Sequence, residues 1–299
     1  MPSRPATRAS RATPMTTVLA AERLASLAKP PGSLGTLEEW AATLCTVQGT
    51  LTPAASPQTV LVFCADHGVK KADAALSPFP GSVSQAVFRS LCAGISGTAV
   101  LARAAGAHLT VVDVGLDAEL RDVGPGDGAG GAPPAVSVRH AKVARGSADL
   151  CAGAAMSEAH LAAALEVGRE AVAAEVAERG AKVVAVGEVG IGNTTAAAAL
   201  LALLTGAEPA DCCGRGTGLD AAGLEHKQQA VRRACALHRG PIAAAAAASA
   251  QVRVRVRVRV RLTRPLTLIL TLVLTRAISV GSRRTLAASW RRGWRGWDV

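Results

Sequence analysis

Tyrosine is absent from this chain, and 299 residues include only three phenylalanines and four tryptophans. Any core must therefore be aliphatic. Cysteine is present but unorganised. Cys45, Cys64, Cys92, Cys151, Cys212, Cys213 and Cys235 are scattered, odd in number and never spaced as C-x-x-C. This argues for reduced thiols, and against a disulfide framework or a metal site of the zinc type. Acid is missing from the first 21 residues, and the start (1–14) is rich in Arg, Ser, Thr and Ala. No apolar h-region follows, which argues against a secretory signal. The composition fits an organelle transit peptide, a disordered terminus, or a start at Met15, and a cytoplasmic or organellar protein is expected.

The excess of positive charge is also missing from most of the chain. The formal net charge is +11, yet residues 251–299 alone hold twelve arginines against one acid, Asp298. Residues 1–250 are formally neutral, so the body of the protein carries no footprint for a polyanion. Neither a nucleic-acid partner nor a membrane is expected. The apolar run Leu266–Leu274 is too short to span a bilayer.

What the chain does have is the stretch Ala181 to Leu204, AKVVAVGEVGIGNTTAAAALLALL. An apolar run, Val183 to Val186, leads into Gly187, Gly190 and Gly192, then Asn193, Thr194 and Thr195, then an alanine/leucine run. The layout predicts a strand, a tight loop and a helix start. Such a start offers free N–H groups to an anion, usually a phosphate, and Asn or Thr suits its cap. Glu188 is the ionisable side chain of that loop. A P-loop needs a lysine that is not there, and the glycine spacing is not that of the dinucleotide fingerprint. A structural turn is the remaining alternative.

Other segments fall around it. Lys29-Pro30-Pro31-Gly32 is extended or turned, and Ser33 or Thr36 is placed to cap a helix carrying Leu37 to Trp40. Val60 to Cys64 reads as a buried strand ending in Asp66-His67-Gly68, and 109–117 as a second strand with Asp113. Ligands of open α/β sheets sit beyond such strand ends, although an acid there also commonly caps a backbone N–H. A helix is expected from about Ser82, a flexible glycine-rich loop at 123–134, a basic stretch at 137–149, and a long helix from Ala154 to Arg179. A second glycine loop, Gly214 to Gly218, precedes a helix with Lys227, Arg232 and Arg233. Two such loops and a lysine can hold a phosphoribosyl group from two sides. Strands alternating with helices give an α/β class with a parallel sheet.

Read together, KPPGSLGTLEEWA (29–41), VFCADHGV (62–69), SPFPGSVSQAVF (77–88), VVDVGLDA (111–118), VARGSADLCAGAAMS (143–157), VGEVGIGNTTAAAAL (186–200) and GRGTGLD with Lys227 resemble one family in its own order. That family is the nicotinate-nucleotide:dimethylbenzimidazole phosphoribosyltransferases, and the resemblance covers about residues 16–240. It implies a Rossmann-like parallel sheet flanked by helices, with a small helical N-terminal part. It implies transfer of phosphoribose from nicotinate mononucleotide to 5,6-dimethylbenzimidazole, giving α-ribazole 5′-phosphate for the lower ligand of cobalamin. No metal or organic cofactor is implied, and a homodimer is. By the same resemblance, Gly190, Gly192, Asn193, Thr194, Gly214, Gly216 and Lys227 hold the nucleotide and its phosphate. Ser77 and Pro78 border the benzimidazole pocket, Phe79 matches the family's aromatic, and Asp149 stands where the family has Asn.

The expected domains are 1–15, disordered or transit-like; 16–242, the transferase domain; and 243–299, an Arg-rich tail outside the fold. The tail reads VRVRVRVRVRL and WRRGWRGWDV. Its Val/Arg alternation has the period of a strand, and Trp290, Trp294 and Trp297 suit stacking, so a basic patch for nucleic acid or membrane is one reading. A translated repeat or a shifted frame is the preferred one. The C-terminal third of the family fold, with its glutamate base in a segment close to R-L-G-E-G-T-G-A, is not matched here. This leaves Glu188 as the candidate catalytic residue, and a non-catalytic nucleotide- or benzimidazole-binding relative as the alternative function.

Overall fold

The computed structural model describes residues 14–126 and 136–248, with side chains described for 17–126 and 136–240. The expectations for the N-terminal leader, for most of the glycine-rich loop at 123–134 and for the Arg-rich tail lie outside the described residues. The chain divides into two units between Pro57 and Gln58.

The first unit is a helical hairpin, α1 (Pro14–Ala25) and α2 (Thr36–Gln48). Ala20 and Cys45 are its buried residues, and Thr17 meets Thr46 through their hydroxyls at 3.1 Å. The turn between the helices is held by a glutamate rather than by a side-chain cap. Glu38 Oε1 accepts from Lys29 Nζ at 2.8 Å and from the Leu34 N–H at 3.1 Å. These two bonds hold its carboxyl below the usual range. Neither Ser33 nor Thr36 caps α2; the cap position is Gly35, at φ 52°. The expected side-chain cap is therefore corrected. A positive φ is cheap only for glycine, and Glu38 supplies the acceptor instead.

The second unit is a four-stranded parallel sheet in the order β3-β2-β1-β4. Its strands are β1 (Gln58–Ala65), β2 (His108–Gly115), β3 (Val136–His140) and β4 (Val183–Val189). The register sets Phe63 beside Val112 on one side and beside Glu188 on the other. Around the sheet run α3 (Gly68–Ala72), a 3-10 turn (Ala74–Leu76), α4 (Ser82–Cys92), α5 (Gly97–Ala104), α6 (Glu158–Arg179), α7 (Asn193–Thr205), α8 (Pro209–Cys212) and α9 (Ala221–Ala248). The α/β class with a parallel sheet is as the sequence implied.

Strand period two divides the core. Val62, Cys64, Leu109 and Val111 face Phe88 and Leu91 of α4. Leu61, Phe63 and Val112 face Ala171 of α6. Full burial of a side chain such as Phe88 contributes about 1.5–3 kcal/mol. The segment Ser82–Ala104 is apolar and long enough to cross a membrane. Here Gly94, at φ 73°, separates it into α4 and α5, and Phe88, Leu91, Cys92, Ala99 and Ala102 lie in the sheet core. A third core joins α7 to α9 almost wholly through small residues: Ala198, Ala199 and Ala202 with Ala230, Val231 and Ala234.

Polar groups fasten α6 to the starts of the strands. Glu175, 1% exposed, accepts from Thr59 of β1 at 3.2 Å and from Thr110 of β2 at 2.7 Å. Arg179 Nε pairs with it at 3.1 Å and Arg179 also reaches Ser137 of β3 at 2.8 Å.

Several boundaries differ from the sequence reading. The basic stretch begins as an edge strand, β3, whose VSVRH alternation is short and follows a glycine-rich loop. The long helix starts at Glu158, because Ser157 accepts the N–H of His160 and caps it. The strand β4 continues through Val189, so Glu188 and Gly187 belong to the strand and not to the loop. The last helix runs from Ala221 to Ala248.

Candidate functional site

The carboxyl ends of β1 and β4 converge on the first glycine loop. Glu188, one residue from the end of β4, is largely buried, and loss of hydration pushes its carboxyl up to about 7 against the hydrogen bond from Asn193. Asn193 Nδ2 donates to Glu188 Oε1, and Asn193 Oδ1 accepts the Thr194 N–H at 2.7 Å. The amide thus fixes the carboxyl against the first turn of α7. A carboxyl that titrates near neutrality is suited to proton transfer.

The loop's glycines answer to the protein itself. A Cβ at Gly190 would lie 1.9 Å from the carbonyl oxygen of Ala65 and 3.0 Å from the His67 ring. At Gly192, with φ +98°, a Cβ would lie 2.8 Å from Lys70 Cβ. The loop is pressed onto the end of β1 and the start of α3. His67 is part of that floor, and burial pushes its imidazole down to about 4 despite the pull of Asp66. Ser84, at the start of α4 and fully buried, accepts the N–H of Ile191 at 3.0 Å.

Lys227 joins the two glycine loops. It sits in the second turn of α9, 1% exposed. Its Nζ donates to Thr194 Oγ1 at 2.7 Å and to the Gly214 carbonyl at 3.0 Å. Desolvation lowers its pKa, and among the described residues it forms no ion pair. Such an amine, held by neutral oxygens beside a helix start, is arranged to receive an anion. Gly216, at φ +58°, packs against the same Thr194 and Lys227, whereas the Gly214 position is open.

Ser77 reaches the second loop, its hydroxyl 3.0 Å from that of Thr217. It also accepts the Phe79 N–H at 3.2 Å. Pro78 is exposed beside it. The expected residues therefore fall into one neighbourhood: Glu188 to Asn193, Thr194 to Lys227 and Gly214, and Thr217 next to Gly216 to Ser77. The other acids at strand ends have structural partners. Asp113 pairs with Lys142 at 2.9 Å and accepts the Leu116 N–H at 3.0 Å. Asp66 Oδ2 accepts the Asp117 N–H at 2.8 Å, while its Oδ1 is buried without a partner among the described residues. Asp149 accepts the N–H of Cys151 at 2.8 Å, as a turn residue does.

No group of three His, Cys, Asp or Glu among the described residues is arranged for a metal ion. All seven cysteines are free, and burial pushes Cys212 up to about 11, away from thiolate chemistry. Sequence reasoning missed Ser84 and Thr217, whose hydrogen-bond partners lie far along the chain, and Lys70, a buried amine that bonds the nearby carbonyls of Ala74 and Ser77.

Two glycine loops bridged by a buried lysine thus lie at the strand ends of a parallel α/β sheet, with a titratable carboxyl beside them. The chain belongs to the phosphoribosyltransferase family whose model matches residues 11–254. It is 45% identical over 214 residues to nicotinate-nucleotide–dimethylbenzimidazole phosphoribosyltransferase of Chromobacterium violaceum, with 72% of this chain and 58% of that protein covered. The protein of the same name from Pseudomonas putida (strain KT2440) is 40% identical over 217 residues, covering 72% and 57%. The crystal structure of CobT from Thermus thermophilus superposes with a TM-score of 0.67 at 39% identity, covering 75% of this chain and 62% of that one. The chain thus spans under two thirds of the length of the relatives it matches.

Proposed function

We propose that this chain binds nicotinate mononucleotide and 5,6-dimethylbenzimidazole and transfers the phosphoribosyl group between them. The observation that carries the reading is Lys227 bridging Thr194 and Gly214 a few residues from a carboxyl poised near 7. The names of the relatives supply the substrates.

In this reading the 5′-phosphate lies against Lys227, Thr194 and the N–H groups that open α7. The azole lies near Ser77 and Pro78. The unprotonated azole nitrogen attacks C1′ of the ribose, the C1′–N bond to the pyridinium breaks, and its electron pair leaves with nicotinate. The azole's other nitrogen then carries a proton that it must lose. Glu188 accepts that proton, directly or through a water. The chemistry needs no redox step, and the homodimer implied by the family resemblance is the expected assembly.

The test is incubation of the purified 299-residue chain with both substrates, followed by chromatography for α-ribazole 5′-phosphate. Product formation abolished by Lys227→Met supports the reading. Tight binding of nicotinate mononucleotide without product supports a binding protein that has kept the cradle alone. Failure to bind either substrate overturns both.

A further inference from the structure

Lys70 lies in α3, 8% exposed, and its amine donates to the carbonyls of Ala74 and Ser77, the latter at 3.1 Å. Among the described residues it makes no ion pair. Desolvation lowers its pKa. A buried amine that meets only neutral carbonyls costs stability relative to an apolar side chain of the same size. Its position therefore calls for a reason other than stability.

The geometry supplies one. The stem of Lys70 is the surface on which Gly192 rests, since a Cβ there would come within 2.8 Å of Lys70 Cβ. The tip of the same side chain holds the carbonyl of Ser77. The hydroxyl of Ser77 then turns to Thr217 in the second glycine loop, at 3.0 Å. One residue thus touches the first glycine loop with its stem and fixes the Ser77 loop with its tip. That loop in turn meets the second glycine loop.

We propose that Lys70 is a positioning residue that latches the Ser77–Phe79 loop onto the second glycine loop and thereby sets the affinity for the acceptor azole. This rests on the functional reading above, in which Ser77 borders the azole. The latch acts on the acceptor side. The phosphate is held by Lys227 and Thr194, which Lys70 does not touch by any hydrogen bond.

The experiment compares the full chain with Lys70→Met and with Thr217→Val, which cuts the latch at its other end. Hydrogen exchange read by mass spectrometry follows residues 77–79 and 214–218. Equilibrium titrations measure 5,6-dimethylbenzimidazole and nicotinate mononucleotide separately. Loss of a hydrogen bond from a charged donor predicts about tenfold faster exchange in both segments and about tenfold weaker azole binding for Lys70→Met. Thr217→Val is expected to weaken the azole about threefold to tenfold. Nucleotide affinity is expected to fall less than azole affinity in both, because the second glycine loop also borders Lys227 through Gly214 and Gly216. Unchanged azole affinity, or equal losses for azole and nucleotide, overturns the proposal. A wild-type chain that fails to bind the azole overturns the functional reading instead. The latch is then decided by exchange alone, and unchanged exchange at 214–218 in Lys70→Met overturns it.

Discussion

Lys227 Nζ stands 2.7 Å from Thr194 Oγ1, across two helices and 33 residues of chain. Its second acceptor, the Gly214 carbonyl at 3.0 Å, belongs to the other glycine loop. A buried cation placed between two loops by neutral oxygens is expensive in the free protein, and in the function proposed above that cost is offset when the phosphate binds.

Lys227→Met should therefore separate stability from binding. The folded pKa of Lys227 is lowered by desolvation, so the unfolded chain binds that proton more tightly. The cost is full below the folded value and fades as pH climbs from that value towards about 10.5, the ordinary value for lysine. The variant should melt at the same or a higher temperature at pH 7 and lose at least about tenfold in affinity for nicotinate mononucleotide. Thermal shift with and without the nucleotide checks both; a variant that keeps its affinity removes Lys227 from the phosphate site.

Glu188 has the opposite linkage. Its folded value is raised to about 7 from 4.5 by burial, so the folded protein holds the proton more tightly. The stabilisation is complete below about 4.5 and is lost as pH rises through about 7. Across that window it amounts to something on the order of 2 kcal/mol. Glu188→Gln should flatten the stability profile between those limits. Its rate of transfer should fall by about 10²–10⁴-fold if the carboxyl accepts the azole proton. Denaturant melts at half-unit pH steps give the first quantity, product formation the second.

Glycines 190 and 214 should respond differently to alanine. At 190 the added carbon would strike a backbone oxygen at 1.9 Å, which neither partner can avoid, and a loss of about 3 kcal/mol or more is expected. At 214 nothing lies within 4 Å, and the change should stay within about 0.5 kcal/mol. Urea unfolding of the two variants is the measurement, and comparable losses would show that the loop relaxes.

Glu175→Leu is a control at the far end of the sheet. It would leave the hydroxyls of Thr59 and Thr110 without their acceptor, and Arg179 without its partner. A loss of about 2–4 kcal/mol is expected, with nucleotide affinity unchanged in the fraction that folds. A parallel loss of affinity would mean that the strand starts and the strand ends are coupled.

The strands with long apolar runs were legible from the chain alone. Val60–Cys64 and Val183–Val186 announce themselves by composition, and the glycines after them mark where the backbone turns. The strand β3 was not legible, because VSVRH is brief, half polar and follows a glycine-rich stretch. The glycines around Glu188 point to a loop, but pairing with Phe63 draws it into the strand. The site residues came from the family pattern, and the structure brings them to one neighbourhood. Lys70, Ser84 and Thr217 were invisible for a different reason. Each acts through hydrogen bonds whose partners no local sequence pattern encodes.

Where α7 meets α9 the third core is mostly alanine methyl groups, and this has a use beyond filling space. Ala198 and Ala202 of α7 meet Ala230 and Ala234 of α9, and these two helices carry Thr194 and Lys227. The gap between the threonine and the lysine is thus gauged by the smallest side chains that can still be buried, as the jaws of a caliper are set by the screw behind them. Enlarging one of those methyls would widen the gap between Thr194 and Lys227 and, in the function proposed above, loosen the hold on the phosphate from within the core.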